Sequence, residues 1–300
     1  MTIESSGVPG PGHNPLNIRH LSPSALKMWL TDREGWFLRY GCKHNSPTTR
    51  PMMIGTAFDA RCKLGIYNCL GRPEEGAAVY EACIREVASD SSLVDIGEQL
   101  WDAYKQCGLV QLLTELSAGS RVLMEADLTR TIVRDGRSVT IKGKPDLHWY
   151  DADGILNVLD WKVNGYGKGI SPNAGYWWDS RTGAAYRGAG QVTPLGSPDY
   201  MRQVATYGWL IPETLDAMRP MVGHIHQILW HPTRGLRVAW FRHTIDVAYQ
   251  ATLWDEYMGA WENIMDGRVF TDLTELEDVD RQVQLRDRGY GQDSTFDAMT

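Results

Sequence analysis

Residues 143–163 read GKPDLHWYDADGILNVLDWKV, which is two runs with β-strand character around a turn signal. The turn is the segment 151–154, Asp-Ala-Asp-Gly, a composition typical of tight hairpin connections. We predict a β-hairpin with strands at residues 143–150 and 155–163. Short β-type runs before it, from residue 121, extend it to a meander of three strands.

Three charged side chains of this hairpin can meet. Across the hairpin, Asp146 faces Leu159 or Asp160, depending on whether the loop has two or three residues. Asp160 and Lys162 are two positions apart, so their side chains leave the same face of their strand. The hairpin can therefore bring two carboxylates and one ammonium group together.

The strand around Asp160 and Lys162 is otherwise almost wholly apolar. A charged pair inside such a strand is costly unless it is paired or bound to a metal. Hydrolysis of a phosphodiester needs charge stabilisation on the phosphate and an activated water, and a carboxylate-bound Mg²⁺ or Mn²⁺ supplies both. Asp146 and Asp160 are candidate ligands, and Lys162 would orient the water or stabilise the developing charge. The alternative is a structural ion pair.

The rest of the chain predicts mainly helices. Ser22 and Pro23 are typical of an N-cap and a first helical position. Further helices are predicted at residues 53–64, 74–116 (two or three helices), 200–210 and 247–265, and a hairpin at 222–230 and 236–244. Residues 1–16 are predicted to be a flexible arm, 17–270 one domain with a helical insertion at about 72–118, and 271–300 a loosely held acidic tail.

The composition sets limits on the class of protein. The chain has 300 residues and a formal net charge of −7, which does not by itself indicate a nucleic-acid partner, although a local basic track is compatible with it. No apolar run approaches the roughly 18 residues that span a bilayer, and no signal peptide is recognisable. The five cysteines include no CxxC pair. We therefore expect reduced thiols, no membrane association and a cytoplasmic location.

Segments in a fixed order resemble the RecB-like branch of the PD-(D/E)XK nuclease superfamily. The resemblance covers about residues 21 to 210. It includes a Ser-x-Ser-x-Leu helix start with a downstream Tyr, a Gly-x-x-x-His helix, Gly-x-Pro-Asp, Asp-x-Lys, and a Gln-x-x-x-Tyr helix. The matching positions here are Ser22, Ser24, Leu26 and Tyr40, then Gly55, then Gly143, Pro145 and Asp146, then Asp160 and Lys162, and last Gln203 and Tyr207. Asp59 stands where the family usually has His.

The resemblance implies an α/β fold with a restriction-endonuclease-like mixed β-sheet core flanked by helices, and an inserted helical subdomain. It implies Asp146, Asp160, Lys162, Gln203 and Tyr207 as catalytic residues. Asp59, Asp146 and Asp160 are the implied metal ligands, because carboxylates favour Mg²⁺. No cysteine follows Cys107, so the late cysteines of the family's iron–sulfur members are missing and no cluster is predicted.

Nucleic-acid contacts are expected in two places. By resemblance they include Ser22, Ser24 and Tyr40 near the start of the chain. A second group lies in the aromatic loop at about residues 164–199, where Lys168, Trp177 and Arg181 could contact phosphates and stack bases. The same loop could instead be a packed lid or an oligomer contact.

The sequence thus predicts a Mg²⁺-dependent DNA nuclease. By resemblance, an exonuclease is favoured over an endonuclease, in recombination, repair or phage DNA processing in the host cytoplasm, with a recombination or single-strand-binding protein as a candidate partner. One alternative is a nuclease-fold protein of weak or no activity that binds nucleic acid or a nuclease complex. Another is an unrelated α/β protein with a chance motif.

Overall fold

The computed structural model describes residues 15–44, 47–85, 87–117, 121–124, 127–165, 176–179, 184–187, 197–211, 218–231 and 235–292. The chain divides into two units. Unit 1 is Met1–Ser46, Leu128–Gly143 and Ala251–Thr300, and unit 2 is Pro47–Asp127 and Lys144–Gln250. The predicted charged hairpin and its surroundings belong to unit 2.

Unit 2 contains a mixed sheet. Its strands lie in the order β1-β4-β5-β8-β9-β6-β7, and β5 and β8 are parallel whereas the other neighbours are antiparallel. The strands are β1 (Arg121–Met124), β4 (Leu147–Tyr150), β5 (Leu156–Gly165), β6 (Tyr176–Asp179), β7 (Ala184–Arg187), β8 (Met221–His231) and β9 (Gly235–Ile245). The other two strands, β2 (Leu128–Arg134) and β3 (Arg137–Gly143), form a separate hairpin in unit 1.

Helices cover both faces of the sheet in unit 2. They are α3 (Arg50–Cys69), α4 (Pro73–Ile84), α5 (Ser91–Ser117) and α6 (Pro198–Leu210). Helices α3 and α5 share one hydrophobic core with the side chains of Leu159 and Trp161 from β5. Helix α6 contacts the opposite face, where Gln203 donates a hydrogen bond to Asp160. The predicted mixed sheet flanked by helices is therefore confirmed, and α5 belongs to the main core of this unit.

The hairpin of β4 and β5 has a three-residue loop. Leu147 is paired with Leu159 and Tyr150 with Leu156, while the Asp151 N–H bonds the carbonyl of Ile155. Gly154 closes the loop at φ 74°, a backbone conformation that a residue with a Cβ rarely adopts. The loop length that the sequence left open is thereby fixed, and it fixes the register of the hairpin.

Unit 1 begins with helix α1 (Pro23–Thr31), followed by α2 (Arg33–Trp36), a π-helical turn at Phe37–Gly41, and, late in the chain, α8 (Glu275–Gln292). The Ser22 hydroxyl accepts the Ala25 N–H at 3.1 Å, which confirms the predicted N-cap. Asp135 and Gly136 turn β2 into β3, both at positive φ, as a two-residue hairpin turn requires. Helix α7 (Val247–Met265) has the predicted bounds.

Two sequence predictions differ from the structure. The predicted meander of three strands is five strands divided between two sheets, because β1 pairs with β4 while β2 and β3 pair only with each other. The predicted loose tail contains helix α8, whose Asp278 carboxylate is buried and accepts the N–H groups of Val269 and Phe270. Among the described residues, no helix is long and apolar enough to cross a membrane.

Candidate active site

Strand β5 carries the central pair of the site, Asp160 and Lys162. Because alternate residues of a strand face the same side, both side chains leave the face opposite to the α3 and α5 core. Asp160 is 3% exposed, and its Oδ2 forms an ion pair with the Lys162 ammonium. The Lys162 Nζ also lies 5.5 Å from the ring centre of Tyr200 on α6. The apolar strand thus holds one ion pair in a largely buried position.

Asp146 precedes β4 by one residue, and the register of the hairpin extends to place it opposite Asp160. Its Oδ2 accepts the backbone N–H of Trp161 at 2.8 Å. This bond ties the Asp146 carboxylate to the strand that carries Asp160. Of the two partners that the sequence allowed for Asp146, the structure selects Asp160 over Leu159.

Helix α6 brings Gln203 and Tyr207 to the same place. They are four residues apart and therefore lie on one face of the helix. The Gln203 side-chain amide donates to Asp160 Oδ1 at 3.1 Å and to the Tyr207 hydroxyl at 2.6 Å. Gln203 thus orients the Asp160 carboxylate from the side opposite to the α3 and α5 core.

Helix α3 contributes a second Asp–Lys pair that the sequence analysis only half anticipated. The Lys63 ammonium lies 2.5 Å from Asp59 Oδ2, one helical turn away. The Lys63 side chain is 1% exposed and that of Asp59 is 26% exposed. Asp59 was predicted as a metal ligand, but Lys63 was missed. The signal was available, because Lys63 follows Asp59 at i+4 in a helix with several buried neighbours.

Burial and mutual repulsion shift the pKa values of these carboxyls upward. Burial, with repulsion from Asp146 and against the attraction of Lys162 and Lys63, raises the pKa of Asp160 to about 7. Burial also raises the pKa of Asp59 to about 6, against the attraction of Lys63 and with repulsion from Asp146. For Lys162, burial lowers the pKa, but Asp160 and Asp146 raise it by more. The upward shifts therefore come mainly from the loss of water around the two carboxyls, which the neighbouring lysines only partly offset.

The carboxylate oxygens of the site decide whether a divalent cation fits there. Asp59 Oδ1 and Asp160 Oδ2 are buried, and neither accepts a hydrogen bond of normal geometry from a described residue. Hard carboxylate oxygens are the ligands that Mg²⁺ prefers, and Mg²⁺ is often bound by one or two carboxylates together with waters and substrate phosphates. Within the described ranges, no three His, Cys, Asp or Glu side chains are grouped as ligands of one ion. The arrangement therefore fits a cation held by Asp146 and Asp160, whereas Asp59 is engaged by Lys63.

A buried hydrogen-bond chain supports the strand from its other face. The Trp161 indole N–H donates to the Tyr104 hydroxyl at 3.1 Å, and the Tyr104 hydroxyl is hydrogen-bonded to Nδ1 of His226 at 2.6 Å. Burial lowers the pKa of His226 to about 3, so its ring is neutral and Nδ1 can accept. Tyr104 on α5 and His226 on β8 thereby fix Trp161, whose backbone N–H binds Asp146. Sequence reasoning missed Tyr104 and assigned His226 no role.

A further polar residue lies next to Lys162. Gln227 on β8 is the register partner of Lys162, so both side chains leave the same face of the sheet. Gln227 is buried, and its Oε1 accepts no hydrogen bond from any residue that the structure describes. It is a candidate positioning residue for Lys162 that the sequence pattern did not single out.

The predicted nucleic-acid contacts are not tested by this geometry. Ser22, Ser24 and Tyr40 belong to unit 1, where the Ser22 and Ser24 hydroxyls lie 3.0 Å apart and the Tyr40 ring lies 5.9 Å from that of Trp36. Lys168 and Arg181 lie outside the described residues. Trp177 lies in β6, of which the structure describes the backbone.

Comparisons with known proteins give structural likenesses at low sequence identity. No protein-family model matches the chain, and no curated protein matches it. The solved structure of the protein SSO0001 is 15% identical, with a TM-score of 0.31, and the match covers 83% of this chain and 95% of that one. The structure of a candidate exonuclease from Eubacterium rectale is 11% identical, with a TM-score of 0.47, and the match covers 89% of this chain and 88% of that one. At these values neither likeness identifies a function for this chain.

Proposed function

We propose that this chain is a Mg²⁺-dependent nuclease that hydrolyses phosphodiester bonds in DNA. The observation that carries the proposal is the buried Asp160–Lys162 pair on β5, with Asp146 opposite and Gln203 bonded to Asp160. A structural ion pair would need no second carboxylate beside it, and repulsion from that carboxylate is unfavourable unless a cation joins them. The motif resemblance to RecB-like PD-(D/E)XK nucleases supports the same assignment.

Each residue has a distinct part in this proposal. A Mg²⁺ ion held by Asp146 and Asp160 would supply charge stabilisation on the phosphate and lower the pKa of a bound water. The Lys162 ammonium is fixed beside Asp160, where it can donate to the attacking water or to a phosphate oxygen as negative charge develops. Gln203 holds Asp160 Oδ1 and leaves Oδ2 turned toward Lys162. The Trp161 N–H holds Asp146 in place.

The finer assignments follow from the family resemblance and from the composition of the aromatic loop. We propose exonuclease action in preference to endonuclease action, Mn²⁺ as a substitute for Mg²⁺, and a role in DNA recombination, repair or phage DNA processing. Trp177 with Lys168 and Arg181, together with Ser22, Ser24 and Tyr40, are proposed to contact the DNA. A recombination or single-strand-binding protein is proposed as a partner.

Digestion of end-labelled linear DNA and of covalently closed circular DNA tests the proposal. We expect Mg²⁺-dependent loss of the linear substrate, inhibition by EDTA, and no loss with Asp160→Asn. Equal loss of both substrates would keep the nuclease assignment and replace exonuclease by endonuclease action. Intact DNA under all divalent-ion conditions, with correctly folded protein, would rule out the proposed activity.

One observation favours a second candidate function. Lys63 neutralises Asp59 at the position where the resembling family usually has a metal-binding His. A site weakened in this way would retain the fold and bind nucleic acid without turnover. Binding of DNA with no cleavage in Mg²⁺ or Mn²⁺, and no effect of Asp160→Asn on that binding, would favour this candidate.

A further inference from the structure

Lys63 faces the carboxylates of the site from helix α3. Its ammonium is buried, lies 2.5 Å from Asp59 Oδ2, and also interacts electrostatically with Asp146 and Asp160. A lysine side chain in a helix leans toward the N-terminus, which brings it back over Asp59 one turn earlier. One helix therefore supplies a carboxylate together with its own cation.

The charges of this cluster limit how many ions it can take. Among the described residues, the carboxylates of Asp59, Asp146 and Asp160 interact with the ammonium groups of Lys63 and Lys162, and these five groups together carry one negative charge when all are ionised. Binding of one divalent ion changes the net charge of these groups to one positive charge. Binding of two divalent ions would give three positive charges. Exposed Lys144 adds a further, weaker attraction to Asp59. Uncompensated charge of that size is strongly unfavourable in a buried site.

The ion pairs of the cluster point to the same limit. Asp160 Oδ2 is paired with Lys162 and Asp59 Oδ2 with Lys63, so each lysine engages one carboxylate. Asp146, which lies opposite Asp160, forms no salt bridge with a described residue. Two-metal nucleases bridge ions that are about 3.5–4 Å apart with carboxylates on both sides, and here one of those sides is taken by an ammonium group.

We propose that Lys63 is a built-in cation that takes the place of a second divalent ion, so that the site binds a single divalent ion through Asp146 and Asp160. The inference rests on the proposed metal-dependent function and deepens it. Asp59 then serves to hold Lys63 in the site and does not bind the metal.

Calorimetric titration of the full chain with Mn²⁺ tests this inference without relying on activity. We expect one ion per wild-type chain. Lys63→Met frees Asp59, so a second ion should bind, or the first should bind about 10–100-fold more tightly, the range by which neighbours of metal ligands change affinity. Arg61→Met removes a charge from the same helix, where Arg61 pairs with Glu98 at 2.6 Å, and should leave one ion with unchanged affinity.

A second variant keeps the net charge of the site unchanged and is a control for misfolding. Asp59→Asn/Lys63→Met removes both partners of the pair and should return the stoichiometry to one ion. Thermal unfolding followed by circular dichroism should show a larger Mn²⁺-induced stabilisation for Lys63→Met than for the wild type. Two ions on the wild-type chain, or equal titrations for Lys63→Met and Arg61→Met, would overturn the inference and leave the nuclease proposal standing. No Mn²⁺ binding by folded wild-type chain would overturn both.

Discussion

The hairpins β2–β3 and β4–β5 come from neighbouring stretches of the chain but treat their charged residues differently. In β2–β3, Thr129, Thr131 and Val133 are exposed, and Arg137 reaches an exposed pair with Glu262 at 2.8 Å. In β4–β5, Asp160 and Lys162 are enclosed by the sheet and by α6. The residue types differ as well, because β5 is otherwise almost wholly apolar whereas β2 and β3 contain several Thr, Arg and Lys residues.

The difference lies in what compensates each charge. Charges of the β2–β3 hairpin meet solvent, and exposed ion pairs of this kind contribute little to stability. The Asp160 carboxylate of β5 is buried, where it pairs with Lys162 and accepts a hydrogen bond from Gln203 while Asp146 repels it. A buried charge cluster that is incompletely neutralised is more typical of a functional site than of a structural one.

The largest expected difference is in nuclease activity. Lys162→Ala removes the ammonium group that stabilises charge in the transition state, and removal of one such donor typically costs about 10²–10³-fold in turnover. Lys142→Ala changes the same residue type in β3 and should leave turnover within about threefold. Initial rates of Mg²⁺-dependent DNA hydrolysis measure both. Equal rates for the two variants would remove Lys162 from the mechanism.

The next difference is in stability. Leu159 is fully buried between β4 and the helices, and Leu→Ala at such a position lowers the free energy of unfolding by about 2–5 kcal/mol. Val133 in β2 is 68% exposed, so Val133→Ala should change it by no more than about 0.5 kcal/mol. Urea titrations of both variants provide the comparison. A similar loss at Val133 would show that the β2–β3 hairpin is covered in solution.

Much of the chemistry of β5 could be predicted from the sequence, because alternation alone places Asp160 and Lys162 on one face. The N-cap at Ser22 was predictable for the same local reason. The position of Asp146 was not, since it depends on a loop of two or three residues and hence on the conformation of Gly154. Lys63 could have been proposed from its i+4 spacing to Asp59, but its burial depends on how α3 packs against the sheet.

Non-local pairing accounts for the rest. The run at residues 122–133 has one continuous β-type pattern, yet β1 pairs with β4 in one sheet and β2 pairs with β3 in another. Tyr104 and His226 are hydrogen-bonded although 122 residues separate them. Nothing in the local pattern of either residue indicates the other. Such contacts fix the supporting network of the site, which is why that network was missed.

A smaller effect is expected for Tyr104→Phe. The change leaves the Trp161 indole N–H and the Nδ1 of His226 without their shared partner in a buried place, which costs about 1–3 kcal/mol. In β2–β3, the hydroxyls of Thr131 and Thr140 are 2.9 Å apart at the surface, and Thr131→Val should change the stability by no more than about 0.5 kcal/mol. Chemical unfolding measures both variants. Tyr104→Phe with unchanged stability would mean that the hydrogen-bond chain is not formed in solution.

The smallest effect is a pH dependence of the free energy of unfolding that arises beside the β4–β5 hairpin and has no counterpart in the β2–β3 hairpin. Burial lowers the pKa of His226, the neighbour of Trp161 in the sheet, from 6.5 to about 3. Between these values the unfolded chain binds a proton that the folded chain does not. The stability that this difference provides is therefore present above pH 6.5 and declines as the pH falls toward 3.

From pH 6 to pH 5, this one histidine lowers the free energy of unfolding by about 1 kcal/mol. His226→Gln keeps an acceptor for Tyr104 and cannot titrate. The free energy of unfolding of this variant should therefore decline by about 1 kcal/mol less than that of the wild type from pH 6 to pH 5. The β2–β3 hairpin contains no histidine and offers no equivalent contribution. Urea titrations at pH 6 and pH 5 compare each chain with itself, so a constant loss from the substitution cancels. An identical decline in both chains would mean that His226 takes up a proton in the folded state as readily as in the unfolded state.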